Sequence, residues 1–256
     1  MKSGKNLYFR YMFMRKHPIR DAFDNFFIAF CAYPRLLLEV FIRRDFGRRY
    51  FSFSSAMFLF LVLATLPLIA LLFFRDYLPQ YSTVLFFGLF STWYAYLAGF
   101  LYMSIKRRQE LKRHGNLDLT YFTKSSGFVH PRFLNFHFRG KQVTPRTIET
   151  VLEPGFFFII GFNLWIFGQP LGHLLAICSI FYSLSYRAAY RRGDHYIWDK
   201  TDEWICNRVL APAFLEGRNA NESLGFQFRG HRPANPEMRE QIVKTFFEEE
   251  EIVEAM

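Results

Sequence analysis

The chain has 256 residues, of which 51% are hydrophobic and 20% aromatic, with 34 Phe and a formal net charge of +10. Its mean hydropathy is close to zero only because 32 Lys and Arg and 22 Asp and Glu lie outside long apolar blocks, a segregation that argues against an ordinary soluble domain and for lipid. Cys31, Cys178 and Cys206 have no CxxC spacing, which excludes a disulfide framework or a zinc knuckle and leaves three reduced packing residues.

Residues 1–50 read as a basic cytoplasmic N-terminus. Within it, Phe23 to Ile42 mixes Phe26, Phe27, Phe30, Leu37, Leu38 and Phe41 with Asp24, Arg35 and Glu39 around Pro34. That is too polar to span comfortably and predicts an interfacial elbow helix lying in the membrane plane, flanked by Arg15, Lys16, Arg20, Arg43, Arg44, Arg48 and Arg49. The first long apolar run begins only at Phe51, too late for a cleavable signal peptide.

Residues 51–105 predict a first transmembrane hairpin. Phe51 to Phe74 contains no charge and is long enough to cross a hydrocarbon core of about 30 Å, with a kink expected at Pro67. A short connector, Arg75 to Gln80, leads into uncharged Tyr81 to Ile105, on which Ser91, Ala95 and Gly99 form a small-residue stripe expected to pack against another helix of the same chain. Residues 106–144 form a cytoplasmic loop in which Leu117 to Val143 alternates aromatic and polar residues around Ser125-Ser126-Gly127, predicting a small β-hairpin close to the membrane.

Residues 145–186 predict a second hairpin, either spanning or re-entrant, that starts at the cap pair Thr144-Pro145 and turns at Gly168-Gln169-Pro170. Residues 187–256 then supply a juxtamembrane helix to Leu215 and an acidic amphipathic tail beginning at Asn235-Pro236. The fold class expected is therefore an all-α membrane protein, with about four transmembrane helices in two hairpins, an N-terminal interfacial helix and small cytoplasmic extensions. Of the 32 Lys and Arg, 31 fall on one side of that arrangement and only Arg75 on the other, so both termini are expected in the cytoplasm.

Motifs that would carry chemistry are missing from the sequence. There is no HExxH, GxxxxGK, GxSxG or GxGxxG, so no catalytic residue, cofactor or metal ligand is assigned. His17/Asp21 and His114/Asp118 fall one residue short of the spacing used by glycerolipid acyltransferases. The expected spans carry no central Asp, Glu, Lys or Arg, which disfavours an ion-coupled carrier. Three groups of residues remain as interaction candidates. Met238, Ile242, Phe246, Phe247 and Val253 on the tail helix are candidates for docking another protein subunit, and Ser91, Ala95 and Gly99 for helix packing. Arg43, Arg44, Arg48, Arg49, Lys106, Arg107 and Arg108 are candidates for anionic lipid headgroups. Nucleic acid is a less favoured partner for the basic, aromatic Tyr121 to Lys141 segment.

The segments RRDFGRRYFS, EPGFFFIIG, PLGHLL and RRGDHYIWDKTDEWICNRVL, in that order, resemble an uncharacterised family of bacterial polytopic inner-membrane proteins. The resemblance implies a bacterial inner-membrane setting and says nothing about catalytic residues. The role expected is a non-enzymatic scaffold or subunit of a membrane-associated complex, gene-transfer or secretion machinery being one home. The runner-up is a membrane-bound lipid-modifying enzyme using Asp194, His195, Asp199, Asp202 and Glu203; a small channel lined by Asn163, Gln169 and His173 is a third reading.

Overall fold

A computed structural model describes residues 5–13, 18–74, 83–113 and 122–248. The chain is mostly helical. In order, it runs β1 (Lys5–Asn6), α1 (Leu7–Met12), α2 (Pro18–Ile42), α3 (Phe53–Phe74), α4 (Thr83–Arg113), α5 (Pro131–Leu134), β2 (His137–Phe138), β3 (Lys141–Gln142), α6 (Pro145–Thr147), a π-helical turn (Ile148–Leu152), α7 (Glu153–Ile166), α8 (Pro170–Leu215), α9 (Pro236–Lys244) and β4 (Phe247–Glu248). The connector Arg75 to Gln80, His17, His114, Glu249 to Glu251 and Val253 lie outside the described residues.

Two compact units divide the chain. The larger is Phe23–Tyr190; the smaller combines Met1–Ala22 with Arg191–Met256. In the larger unit α3 and α4 form one helical hairpin, closed by the Trp93 indole donating to the Leu63 carbonyl at 2.9 Å. The second hairpin, α7 with α8, turns at Gly168, whose φ of 71° only glycine adopts without strain. Its helices touch along glycine: a Cβ at Gly161 would meet the Ala176 backbone at 2.8 Å, and one at Gly172 would collide with the Trp165 backbone. This close seam, rather than Ser91/Ala95/Gly99, is where small residues let two helices approach. Ser91 and Ala95 are exposed, and Gly99 alone of that stripe faces a neighbouring helix, at the Phe41 ring.

The elbow expected at 23–42 is instead a helix whose second half sits inside the bundle. Leu36, Leu37, Leu38, Glu39, Val40 and Ile42 are all buried. Tyr96 of α4 donates to the Leu37 carbonyl, Arg107 to the Val40 carbonyl, and Phe30 meets Phe181 of α8 edge-on. The polarity that argued against burial is neutralised within the fold, as described below.

Among the described residues, two helices rather than four are long and apolar enough to cross a membrane by length and composition. They are Asp21–Ile42, which the sequence reading laid in the membrane plane, and Pro145–Ile166. Phe53–Ile69 is apolar but shorter, and α8 dilutes its apolar residues with His173, Ser179, Ser183 and Ser185.

The β-hairpin of the central loop also lies elsewhere than expected. It is His137–Phe138 paired antiparallel with Lys141–Gln142, turning through Arg139 and Gly140 at positive φ, not around Ser125 to Gly127. Ser125 to Gly127 instead docks on the chain between α2 and α3. Gly47 donates to the Ser125 carbonyl, Arg49 to Thr123 and Phe128 to Arg44, each at 2.8 Å.

In the smaller unit, β1 pairs antiparallel with β4, Lys5 opposite Glu248 and Asn6 opposite Phe247. Phe9, Cys206 and Leu210 form its core, with Tyr8, Phe226, Phe228 and Phe246 packed against them. Asn6 caps α1 by accepting from the Phe9 amide at 2.8 Å, while its side-chain amide donates to Asn207 at 2.6 Å.

Candidate functional site

Arg35, Glu39 and Arg43 recur every four residues at the end of α2 and therefore share one face. On the facing elements stand Glu149 in the π-helical turn, Glu153 at the start of α7, and Tyr182, Ser185 and Tyr186 on α8. The π turn has an amide-to-carbonyl bond five residues back, from Glu153 to Ile148, and it presents both glutamates to the same arginine.

Arg43 is the hub, with no exposed surface. Its Nη2 lies 2.5 Å from Glu153 Oε2 and 3.1 Å from Glu149 Oε1, and its Nη1 donates to the Tyr186 hydroxyl at 2.6 Å and to Ser126 Oγ at 2.9 Å. Tyr186 in turn donates to Glu39 Oε1 at 2.6 Å, and Tyr50 donates to Glu39 Oε2 at 2.7 Å. Arg35 stands 3.4 Å from Glu39 and donates to Ser185 at 2.8 Å. Tyr182 donates to Glu153 Oε2 as well, so three donors converge on one carboxylate oxygen and leave Oε1 without a hydrogen bond among the described residues. The Arg43 guanidinium also lies over the Tyr186 ring, 4.8 Å from its centroid.

At the rim, burial and then the Glu149 carboxylate, which accepts from it at 2.6 Å, push the Tyr190 hydroxyl up from its ordinary range. Burial and then Glu39 do the same to Tyr50. Burial alone would lower Arg43, but the surrounding tyrosines and carboxylates outweigh it and hold the guanidinium above its usual range. Both tyrosines therefore stay hydrogen-bond donors. Three carboxylates, two guanidiniums and their hydroxyl partners bind one another, which pins α2, the π turn, α7, α8 and the 122–128 segment together without presenting a free nucleophile.

The sequence reading missed this cluster because its members lie up to 151 residues apart, from Arg35 to Tyr186. The four-residue recurrence of Arg35, Glu39 and Arg43 was the one signal available. The residues it did single out are scattered. Arg43 and Arg107 are buried, Arg107 paired with Glu110 at 2.7 Å, so neither can reach a headgroup. Arg44, Arg48, Arg49, Lys106 and Arg108 are exposed. On α9, Met238 is exposed and Ile242 half-buried, whereas Phe246 turns inward against Phe214 and Tyr8; the Phe247 side chain lies outside the described residues.

The acidic set of α8 carries local pairings and exposed carboxylates. Glu203 is paired with Lys200 at 2.6 Å, His195 accepts from Arg191, and Asp199 and Asp202 are exposed on the helix. Asn163 donates to the carbonyl one turn back in its own helix, Gln169 accepts from Thr92 at 2.8 Å and His173 is exposed beside Trp165, so the three do not line a common path. Among the described residues no group of three or more His, Cys, Asp and Glu is placed to hold a metal ion. No family model matches the chain, and no curated protein or solved structure does so either.

Proposed function

We propose that this chain is a non-enzymatic integral protein of a bacterial inner membrane, a scaffold or subunit of a complex such as gene-transfer or secretion machinery. Its two helical hairpins are embedded and both termini lie in the cytoplasm. The observation that carries this reading is the apolar shell: Phe58 and Leu72 of α3, Ile159, Ile166 and Phe167 around α7, and Ile180 of α8 are each at least half exposed. So many large apolar side chains exposed on three long helices are costly in water, whereas acyl chains solvate them.

Two further observations support the details. The charged groups buried in the bundle are paired with one another, Glu153 Oε1 alone of its carboxylate accepting no hydrogen bond among the described residues, which suits a rigid support. The Arg107 guanidinium donates to the Val40 carbonyl and Arg108 lies over the Phe53 ring, so the basic run from Arg43 to Arg49 between α2 and α3 stands at the same end of α4 as Lys106, Arg107 and Arg108, which suits one cytoplasmic side for both. The bacterial setting rests on the resemblance of RRDFGRRYFS, EPGFFFIIG, PLGHLL and RRGDHYIWDKTDEWICNRVL.

The test is extraction of a tagged copy from its native host. Retention in the membrane pellet after alkaline carbonate, followed by recovery of defined partner proteins in fixed ratio from mild detergent, is the expected result. Release by carbonate overturns the membrane setting, and recovery of the chain alone overturns the subunit role.

A further inference from the structure

We infer that Phe122 and Phe128, together with Arg44, Arg49 and Lys124, form an interfacial anchor that seats this chain on an anionic phospholipid leaflet. The inference rests on the membrane setting proposed above and names the lipid class and the residues that meet it.

The anchor is built on a rigid base. The segment 122–128 lies antiparallel along 44–49 through the three 2.8 Å backbone bonds of Gly47, Arg49 and Phe128. Two glycines make that approach possible. A Cβ at Gly47 would strike the Thr123 carbonyl, and one at Gly127, where φ is 85°, would come within 2.7 Å of the Arg44 carbonyl. Beneath the seam, Arg43 donates to Ser126 and so ties it to the buried ion cluster.

With its two segments tied through their backbones, the seam presents two kinds of side chain outward. Phe122 is 72% exposed and Phe128 60% exposed, while Arg44, Arg49 and Lys124 are exposed beside them. Rings that favour the acyl boundary and cations that favour phosphate, on one short strip, match the layered chemistry of a leaflet surface. A single-stranded nucleic acid would also suit rings and cations. Position decides for lipid: Arg49 is followed directly by Tyr50, Phe51 and α3, on which the exposed apolar shell begins, and Arg108 lies over the Phe53 ring at that same helix start.

The test places a nitroxide label at Phe122→Cys or Phe128→Cys in a full-length chain whose three native cysteines are replaced. The chain is reconstituted in vesicles of phosphatidylethanolamine with phosphatidylglycerol, or of phosphatidylcholine alone. A third label at Leu61→Cys, an exposed position on α3, reports the membrane setting independently. Oxygen accessibility should exceed that of a water-soluble nickel complex at 122 and 128 in the anionic vesicles. Each basic residue engaged shifts the ratio of seated to unseated anchor by about fivefold, so the excess should fall in phosphatidylcholine, and it should vanish in R44E/R49E/K124E.

Labels at 122 and 128 that stay open to nickel in anionic vesicles, with Leu61 in lipid, overturn the anchor while leaving the membrane setting intact. All three labels open to nickel overturn the setting itself. Protection at 122 and 128 only on adding a single-stranded oligonucleotide overturns the lipid in favour of nucleic acid. If the charge reversals cost the Leu61 label its lipid signature, glutamines at the same three positions replace them, and an unchanged excess in that variant overturns the role of the cations.

Discussion

Arg43 shows how one side chain can be misread from its neighbours in sequence. It stands in a basic run with Arg44, Arg48 and Arg49, yet it is fully buried while the other three are exposed. Removing it leaves Glu149 and Glu153 without their counter-ion. Arg43→Met should therefore destabilise the larger unit by about 3–5 kcal/mol, read as a loss of melting temperature in detergent. R43M/E153Q should cost clearly less than the sum of the single variants, and additive costs would deny the coupling. Cys206 makes a second prediction at this scale. Burial pushes its thiol from an ordinary 9 up to about 11, although the Asn6 amide that donates to Sγ pulls it partly back. At pH 8 its thiolate fraction is about a hundredfold below that of an ordinary thiol, offset about tenfold by the greater nucleophilicity of a more basic thiolate, so with Cys31 and Cys178 replaced the buried Cys206 should alkylate at least about tenfold slower than a free thiol. The folded state holds this proton more tightly than the unfolded chain, so the stabilisation is full below pH 9 and is lost as the pH rises from about 9 to 11. Cys206→Ala should lack that alkaline component of the melting curve.

Among the elements, α8 depends on glycine at one position and not at another. A Cβ at Gly172 meets the Trp165 backbone, which cannot yield, whereas one at Gly193 in the same α8 meets nothing within 4 Å. Gly172→Ala should therefore lower stability by about 1–3 kcal/mol. Gly193→Ala should raise it by about 0.5–1 kcal/mol, because alanine loses less backbone freedom in a helix. Similar effects of the two substitutions would place the close seam elsewhere. Helix α9 and the strand after it behave differently from the docking element read from the sequence. The face read as Met238, Ile242 and Phe246 is divided, Met238 outward and Phe246 against the aromatic cluster of the smaller unit. Helical periodicity identifies an apolar face but does not say whether the chain itself or another protein covers it. The Ser91/Ala95/Gly99 stripe failed for the same reason, since four-residue spacing marks a face and only the path of the neighbouring helices decides what meets it.

For the molecule as a whole, the apolar shell gives the proposed membrane setting a direct consequence. Ile159 is 63% exposed at α7. Ile159→Lys would be nearly neutral in a protein bathed by water but should lower the membrane level by an insertion cost of about 2.5–3.5 kcal/mol if lipid surrounds that helix. An unchanged membrane level would argue against lipid there. Much of the architecture was legible from one-dimensional pattern. Helical content, the turn at Gly168, the cap pair Thr144-Pro145 and the helical continuation of 187–215 all depend on local propensity, and they match the helices observed. The candidate site was not legible, because ion pairing inverts the meaning of polarity. Arg35 and Glu39 read as residues that keep α2 out of the core, and they instead meet Tyr50, Ser185 and Tyr186, residues whose separation in the chain hides the match. The sequence by itself therefore determined the helical class, the segregation of charge and the positions of caps and turns, since these follow from residues within a turn or two of one another. Only the tertiary structure decided which charges are buried, which glycines bear helix contacts and how β1 pairs with β4, because each of these depends on partners brought together by folding.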